Sequence, residues 1–348
     1  MNYDFPIEEL HRWNKDELFY REYYEAAKQG KEDKVLAEFP ADPEWKGFVQ
    51  DPSTIDARKT EEMFFSSGRN VSIVKHPRYF PIFFHEHTFF EILFVISGQC
   101  RQLFHDSELP LTAGDYCMIA PGVTHAIKVF DDSVVLNILI RRSTFMDIFF
   151  NTVRNKSQIA LFFLGSLYEK QKIPYMIYHT GADKRLRNYI LDMYMEQVLP
   201  DEYSDRIMCS LLTIFFNQLT RRHGRMAEIP AGSGKKSEYA DDIMNYIMRY
   251  YANTSIRDLA NHFHFSEPYC SKLVREISGS TFSELQTSIR MNQAENMLTQ
   301  TQMSVEDISY EIGYKNPETF IRSFKRIFQI SPSQYRKNPD AAGRKVRL

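Results

Sequence analysis

Three histidines and one glutamate lie between residues 85 and 125 with a spacing that could bind a metal ion or a polar ligand. His85, His87 and Glu91 share parity, so on one continuous β-strand their side chains face the same side of a sheet. His125 follows a proline–glycine turn and adds a third imidazole. Divalent transition metals accept three imidazole nitrogens and one carboxylate as ligands. Two alternatives stay open: the groups hydrogen-bond a small polar effector, or they are buried side chains satisfied by their neighbours.

Aromatic residues near these histidines are candidate walls of the same pocket. Sites for small ligands combine apolar walls with a few polar groups, and an aromatic ring can stack on a sugar ring. Most of the aromatic side chains there are expected in the core. The predicted effector-binding set consists of His85, His87, Phe89, Glu91, Tyr116 and His125.

A repeated segment near the C-terminus has the pattern of two helix-turn-helix motifs. Residues 255–260 (SIRDLA) recur as 304–309 (SVEDIS), and the basic segment 272–275 recurs as 322–325. Each copy has a short amphipathic helix, a tight turn and a second helix with a basic outer face. One such helix alone could be a solvated surface, but two copies in register argue against that alternative. Because an α-helix fits the major groove of B-DNA, the repeat predicts contact with two stretches of groove.

The outward residues of the second helix in each copy are the candidate DNA contacts. Lys272 and Arg322 occupy matching positions and are the strongest candidates for base contacts, because side chains near the N-terminus of such a helix reach base edges. The residues expected to contact phosphates instead are Arg275, Lys325, Arg326, Arg336 and Lys337. The complete predicted DNA-binding set is Ser271, Lys272, Arg275, Glu318, Ile321, Arg322, Lys325, Arg326, Arg336 and Lys337.

Short β-rich segments are expected to position the histidines, and helices the basic residues. Hydrophobic runs separated by turn signals before residue 141 are typical of an antiparallel sandwich or barrel. Segments with helical periodicity follow residue 141. An apolar helix face in this region that the core does not need would form a dimer interface. The predicted domains are an extension of unknown role (1–60), the barrel (61–141), a helical linker or dimerisation region (142–225), a flexible linker (226–236) and the DNA-binding domain (237–340).

The overall composition is that of an ordinary globular protein. The chain has 348 residues, of which 43% are hydrophobic and 25% charged. Its net charge is −2, so DNA affinity must come from a local basic surface. The sequence has no apolar run of membrane-spanning length, no visible export signal and no CxxC pair among its four cysteines. These features predict a cytoplasmic protein with reduced cysteines and no membrane partner.

The second copy of the repeat carries a specific resemblance. Residues 307–336 follow the pattern DI-x3-IGY-x5-F-x3-FKR-x4-SP-x2-YR, which resembles the signature of the AraC/XylS family of transcription regulators. The resemblance spans about residues 237–337 and implies an all-α DNA-binding domain in which one long helix joins the two motifs. His264 and Gln329 stand where the family usually has glycine. Both are therefore expected in a left-handed conformation that is unfavourable for a side chain.

The histidine segment resembles the cupin fold. Residues 85–98 follow HxH-x3-E-x6-G, and Gly114, Pro121, Gly122 and His125 match a second cupin motif. Regulators of the AraC family often carry a cupin-like domain as an effector sensor. The resemblance therefore implies that the barrel binds a small molecule without catalysis, and a carbohydrate is expected by family analogy alone.

The sequence thus predicts an α+β multidomain protein with a cupin-like antiparallel β-barrel, a helical region and an all-α tandem helix-turn-helix domain. The predicted function is an effector-responsive, homodimeric regulator that binds double-stranded promoter DNA and is not an enzyme. Two alternatives remain. One is a metal-dependent cupin enzyme fused to a DNA-binding module, with a divalent transition metal held by His85, His87, Glu91 and His125. The other is a ligand-independent DNA-binding protein.

Overall fold

The chain is described by a computed structural model. The residues it describes are 4–32, 34–35, 58–65, 69–142, 144–145, 159, 162, 173–224, 226–230, 240–278 and 280–337. The chain divides into two compact units: an N-terminal unit of residues 1–141 and 174–228, and a C-terminal unit of residues 142–173 and 229–348. The first is β-rich with antiparallel sheets and the second carries the helical motifs, which confirms the predicted fold class. None of the described helices is long and apolar enough to cross a membrane.

Two antiparallel sheets form the frame of the N-terminal unit. The strands are β1 (Arg58–Lys59), β2 (Val71–Lys75), β3 (Glu86–His87), β4 (Phe90–Ser97), β5 (Gln99–Phe104), β6 (Ser107–Thr112), β7 (Asp115–Ile119), β8 (His125–Lys128), β9 (Val134–Ile140), β10 (Tyr175–His179) and β11 (Ala227–Glu228). A six-stranded sheet has the order β11-β10-β7-β4-β9-β2, a three-stranded sheet has the order β6-β5-β8, and β1 pairs with β3 in parallel. The helices of this unit are α1 (Asp4–His11), α2 (Lys15–Ala27), α3 (Glu61–Phe64), α4 (Lys184–Val198) and α5 (Ser204–His223).

Strand β4 is buried on both of its faces, which explains the apolar run Ile92 to Ile96 that follows Glu91. Leu93 and Val95 join Phe104 and Leu111 of the smaller sheet in one hydrophobic cluster, so the core lies between the two sheets. Alternate residues of β4 face the other way, as the pleat of a strand requires. On that second face the large sheet is covered by α5, which buries Leu212, Phe215, Phe216 and Leu219.

The boundaries of the helical region differ from the predicted ones. Residues 142–225 were expected to form a separate helical segment, but residues 174–228 belong to the same compact unit as the strands. Tyr175–His179 supplies strand β10, which pairs with β7 and with β11. Strand β11 also falls inside the predicted flexible linker 226–236, of which residues 231–236 lie outside the described residues. The periodicity missed both strands because each is short and its pairing partners are distant in sequence.

The N-terminal extension is fastened to the β-rich unit by a buried carboxylate. Glu17 of α2 is fully buried, and its Oε2 lies 2.8 Å from Arg78 Nη2 and 2.8 Å from Lys75 Nζ. Burial alone would raise the pKa of Glu17, but the hydrogen bonds from Arg78 and Lys75 lower it to about 2. At least the first helices of the predicted segment 1–60 are therefore part of this unit, whereas residues 36–57 lie outside the described residues.

The C-terminal unit contains two similar helix pairs joined by a long helix. Its described helices are α6 (Ala240–Tyr250), α7 (Ile256–Phe263), α8 (Glu267–Ser278), α9 (Phe282–Gln300), α10 (Val305–Glu311), α11 (Pro317–Phe328) and α12 (Pro332–Lys337). The repeated serines have the same role in both copies, since Ser255 caps α7 and Ser304 caps α10 through their side chains. Helix α9 is the connector that the family resemblance implies.

Candidate effector site and nucleic-acid interface

Strands β3, β4 and β8 bring the predicted histidines and glutamate together. Glu91 Oε2 lies 2.9 Å from His87 Nε2 and 3.3 Å from His125 Nε2. His85 and His125 exchange backbone hydrogen bonds of 3.0 and 2.9 Å, and their ring centroids are 4.5 Å apart. One ligand atom from each of His85, Glu91 and His125 can be chosen so that all three lie within 4.8 Å of one another. The four side chains selected by spacing therefore form one cluster.

Backbone carbonyl groups orient all three imidazole rings of this cluster. The Nδ1 atoms of His85, His87 and His125 lie 3.2, 2.7 and 2.9 Å from the carbonyl oxygen of a residue two positions away in the chain. Because a carbonyl oxygen only accepts hydrogen bonds, each Nδ1 must donate. A neutral ring then keeps Nε2 as its free nitrogen, which is the arrangement that metal-binding histidines usually have.

Burial and neighbouring charge shift the pKa values in the cluster. Burial would raise the pKa of Glu91, but hydrogen bonding and electrostatic attraction from His125 and His87 hold it well below 4.5. Burial, together with the neighbouring His125, lowers the pKa of His85 to about 4. At neutral pH the cluster therefore combines an ionised carboxylate with a neutral imidazole.

The donor set fits a divalent transition metal. Among the described residues, the Nε2 atoms of His87 and His125 have the Glu91 carboxylate as their close polar neighbour and make no other hydrogen bond. An unprotonated Nε2 and a carboxylate oxygen repel each other at such distances, so a proton or a cation must lie between them. The nitrogen donors of His85 and His125 and one oxygen of Glu91 lie close enough together to hold one ion, and such a donor set suits zinc or a neighbouring first-row metal.

The two aromatic residues predicted for the pocket lie on different faces of the large sheet. Phe89 stacks on His87 with ring centroids 4.6 Å apart, so it forms a wall of the cluster. Tyr116, the other aromatic residue of the predicted effector set, does not lie beside the cluster. In the register of β4 with β7, Ile119 is opposite Glu91 and Tyr116 is opposite Phe94. Tyr116 therefore faces away from the cluster and packs between Phe94 and Phe215 of α5.

A buried glutamine in the core was missed by the sequence analysis. Gln102 is fully buried, and neither atom of its amide has a hydrogen-bond partner among the described residues. It shares the inward face of β5 with Cys100 and Phe104, both members of the core cluster. The signal was present, since Cys100, Gln102 and Phe104 alternate with outward residues. A buried amide without a partner is costly, which marks this position as a candidate ligand contact.

The first helix-turn-helix motif consists of α7, a turn at His264 and α8. His264 ends α7 with φ 57°, the left-handed conformation expected from the sequence. Cys270, Leu273 and Val274 of α8 are buried. The predicted DNA contacts Ser271, Lys272 and Arg275 are exposed and line a surface groove of about 520 Å³.

The second motif consists of α10, a turn at Gly313 and α11. Asn316 caps α11, because its Oδ1 accepts a hydrogen bond of 2.8 Å from the Glu318 backbone N–H. Phe320, Phe324 and Phe328 form the buried face of α11. The predicted contacts on its exposed face are Glu318, Arg322, Lys325 and Arg326.

Two of the predicted DNA contacts are largely occupied within the protein. Ile321 is partly buried against the core of the second motif. The Arg336 guanidinium donates hydrogen bonds to the carbonyl oxygens of Leu298 and Met303. Arg336 therefore satisfies backbone carbonyl groups near the end of α9, and its proposed phosphate contact does not fit this geometry. Lys337, the next residue, is exposed.

Both units match known domain families. Residues 74–151 match the AraC-like ligand binding domain, and residues 259–338 match the helix-turn-helix domain. The first match includes all four residues of the histidine cluster. The second includes both recognition helices, α8 and α11.

The relatives of this chain are transcriptional regulators. The chain is 23% identical over 287 residues to the HTH-type transcriptional activator RhaS of Enterobacter sp. strain 638, covering 80% of this chain and 96% of that protein. It is 32% identical over 99 residues to the lactose operon transcription activator of Staphylococcus xylosus, covering 28% of this chain and 35% of that protein. It is 33% identical over 99 residues to the HTH-type transcriptional regulator YtdP of Bacillus subtilis strain 168, covering 28% of this chain and only 13% of that protein. With an AraC-like ligand-binding domain ahead of a helix-turn-helix domain, the chain belongs to the AraC family of transcriptional regulators.

Proposed function

We propose that this protein is an effector-responsive, sequence-specific regulator that binds promoter DNA. The observation that carries the proposal is the pair of helix-turn-helix motifs in one unit. Each motif has a serine-capped first helix, a left-handed turn and a second helix with exposed basic residues. A recognition helix of this kind inserts its N-terminal residues into the major groove.

The exposed basic residues divide into two classes of DNA contact. Lys272 and Arg322 are each the sixth residue of a twelve-residue helix and lie on its exposed face, one turn ahead of Arg275 and Lys325, and we assign them to base edges. Arg275, Lys325, Arg326 and Lys337 lie further along or after these helices and suit phosphates.

Titrations of the full chain with duplexes enriched from randomised DNA test these roles. Arg322→Ala should remove discrimination between duplexes that differ at one half of the site. Lys337→Ala should weaken binding to all duplexes alike and reduce the slope of log K against log salt by about 0.9. Equal effects of both changes on every duplex would contradict the two roles.

We propose that the effector is a small polar molecule such as a carbohydrate, bound at the histidine cluster. Phe89 offers an aromatic face beside His87, and Glu91 offers a buried carboxylate. Gln102 offers an amide that needs a partner. The Staphylococcus xylosus relative is a lactose operon transcription activator, which favours the carbohydrate class.

A thermal-shift screen with simple sugars tests the effector proposal. A bound sugar raises the unfolding temperature of the wild-type chain in proportion to the logarithm of its concentration. The shift should be lost in Glu91→Gln and kept in His105→Ala, because His105 is exposed and outside the cluster. Specific DNA binding that no sugar alters, with no thermal shift, would favour a ligand-independent DNA-binding protein.

The histidine cluster also supports a second candidate, a bound divalent transition metal. The Nε2 atoms of His87 and His125 face one carboxylate oxygen of Glu91, and such a grouping needs a proton or a cation. An ion there would supply Lewis-acid character and positive charge, which could bind an anionic or hydroxylated effector. The alternative of a metal-dependent enzyme depends on the same ion. Because the relatives are regulators, we propose sensing rather than catalysis.

Metal analysis of protein purified without added cations separates these candidates. Stoichiometric metal that disappears in His125→Ala but persists in His105→Ala would support the ion. Circular dichroism of both variants verifies that the fold is intact. Absence of metal from the folded wild-type chain would remove both the ion and the enzyme alternative.

We propose that the protein forms a homodimer through the outer face of α5. Tyr203 at its N-cap, Ile207 and Ile214 follow helical spacing and are 54%, 38% and 42% exposed. Leu199, just before this helix, is 69% exposed. Contiguous exposed apolar side chains of this kind mark protein–protein contact sites.

Light scattering after size exclusion tests the dimer. The wild-type chain should have twice the single-chain mass of 41.0 kDa. The double substitution Ile207→Asp and Ile214→Asp should give the single-chain mass, whereas Leu18→Asp on α2, also at an exposed apolar position, should not. A wild-type monomer at micromolar concentration would contradict this proposal.

Finally, we propose a cytoplasmic location, because a promoter-binding regulator needs access to chromosomal DNA. The four cysteines are all free, in keeping with a reducing compartment.

A further inference from the structure

The second recognition helix presents an acidic and a basic side chain on one exposed face. Glu318 is the second residue of α11, and Arg322 follows it by four positions. Residues four apart lie on the same side of an α-helix, separated by about 6 Å along its axis. The opposite side of α11 carries Phe320, Phe324 and Phe328, which are buried. The Glu318 carboxylate therefore faces the same way as the proposed base-contacting arginine.

No contact among the described residues accounts for the direction of this carboxylate. Within the described part of the chain, neither the Glu318 carboxylate nor the Arg322 guanidinium has an ion pair or a side-chain hydrogen bond. By contrast, Lys272 at the matching position of the first copy lies 3.7 Å from the Glu276 carboxylate.

Stabilisation of the helix N-terminus explains an acid in the first turn but not its position. Both recognition helices have one, Glu267 in α8 and Glu318 in α11. Glu267 precedes Lys272 by five positions and so lies on a different face of its helix. Of these two first-turn acids, only Glu318 shares a face with the base-contacting residue of its own copy.

The chemistry of the major groove restricts what a carboxylate can contact there. Phosphates repel it, and so do the acceptor edges of guanine and thymine. Adenine offers an amino group beside N7, which is an acceptor and repels a carboxylate. Cytosine offers its N4 amino group with no adjacent acceptor, so it is the base edge that a glutamate fits.

We propose that Glu318 is a specificity-determining residue that accepts a hydrogen bond from the N4 amino group of a cytosine. This cytosine lies one or two base pairs from the guanine bound by Arg322, because bases are about 3.4 Å apart along a strand. The inference rests on the proposed DNA-binding function. It predicts two G·C pairs, close together, in the part of the operator that α11 contacts.

Selection of duplexes from randomised DNA by the full chain tests this inference. The variants are Glu318→Gln and Glu318→Ala, with Glu267→Gln as a matched first-turn control in the other copy. A glutamine can donate to N7 and accept from N6, so Glu318→Gln should change the preferred base at one position from cytosine to adenine. Glu318→Ala should lower discrimination at that position about fivefold or more. Glu267→Gln should leave the preferred sequence unchanged.

The outcomes separate this inference from the function on which it rests. If the wild-type chain enriches no sequence, sequence-specific binding itself is contradicted. If the wild type enriches a sequence and both Glu318 variants enrich the same one with equal discrimination, DNA binding stands and the role of Glu318 is overturned. A change of preference at the position contacted by the first copy would also overturn it.

Discussion

The two helix-turn-helix motifs have the same frame but differ in their turns, cores and outer faces. The first turn has His264 at φ 57°, and the second has Gly313 at φ 87°. The first recognition helix buries Cys270 at the position where the second buries Phe320, and both side chains are fully buried.

The difference shows that the second motif is the more tightly constrained copy. A Cβ atom on Gly313 would lie 1.9 Å from the carbonyl oxygen of Ala252, so no side chain fits there. His264 is exposed and tolerates its left-handed conformation at a local cost. We expect the second copy to dominate stability and base discrimination, and the four predictions that follow test this ranking.

The largest effect is expected from the unequal cores. Phe320→Ala should lower the free energy of unfolding of the second motif by about 3–5 kcal/mol, because it leaves a large cavity. Cys270→Ala at the matching position should lower that of the first by about 1 kcal/mol. Native-state hydrogen exchange of peptides from each motif measures both. Equal losses of unfolding free energy in the two motifs would contradict the prediction that the second copy dominates stability.

Gly313→Ala should be the next most damaging change. The left-handed backbone and the clash with the Ala252 carbonyl together should destabilise the second motif by about 2–3 kcal/mol. The same exchange measurement applies, with Gly181→Ala as the control. Gly181 also has a positive φ, of 57°, but it has open space around it. Gly181→Ala should therefore destabilise the protein less than Gly313→Ala. A greater loss at Gly181 would show that the close contact at Gly313 does not matter.

DNA affinity should also depend unequally on the two copies. Arg322→Ala should weaken binding to the preferred duplex by about 2 kcal/mol, because arginine can bind guanine in a bidentate manner. Lys272→Ala should have a smaller effect, since a lysine is a point charge and this one has Glu276 beside it. Fluorescence anisotropy at fixed salt concentration measures both, and the reverse order would contradict the ranking.

The smallest predicted effect is a gain in stability. His264→Gly should stabilise the first motif by about 0.5–1 kcal/mol, because glycine adopts the left-handed conformation without steric cost. Gln329→Gly, at φ 64°, should act in the same direction after α11. Chemical denaturation followed by circular dichroism measures these gains. A loss in both variants would mean that the side chains make contacts that compensate for the strain.

Local patterns predicted much of the fold and the candidate sites. The spacing predicted that His85, His87 and Glu91 meet, although a bend at residues 88–89 divides the expected continuous strand into β3 and β4. The helical period placed Phe320 and Phe324 inside and Arg322 outside. The left-handed turns at His264 and Gln329 also followed from the sequence, through the glycines that the family usually has there.

Long-range pairing decided the positions that the sequence analysis missed. The face of Tyr116 depends on the register of β7 with β4, which no local pattern records. The strand at Tyr175–His179 exists because a distant strand edge accepts it. Arg336 is basic and lies beside a DNA-binding motif, yet the C-terminal part of α9 uses its guanidinium.

The central claim is that one chain contacts two adjacent and unequal segments of major groove. The most direct measurement compares the base preferences of Lys272→Ala and Arg322→Ala across the wild-type operator. Our account predicts that the two substitutions relax preference at different positions, about one helical turn apart, with no inverted symmetry between them. Relaxation at the same positions, or at two halves of a palindrome, would contradict it.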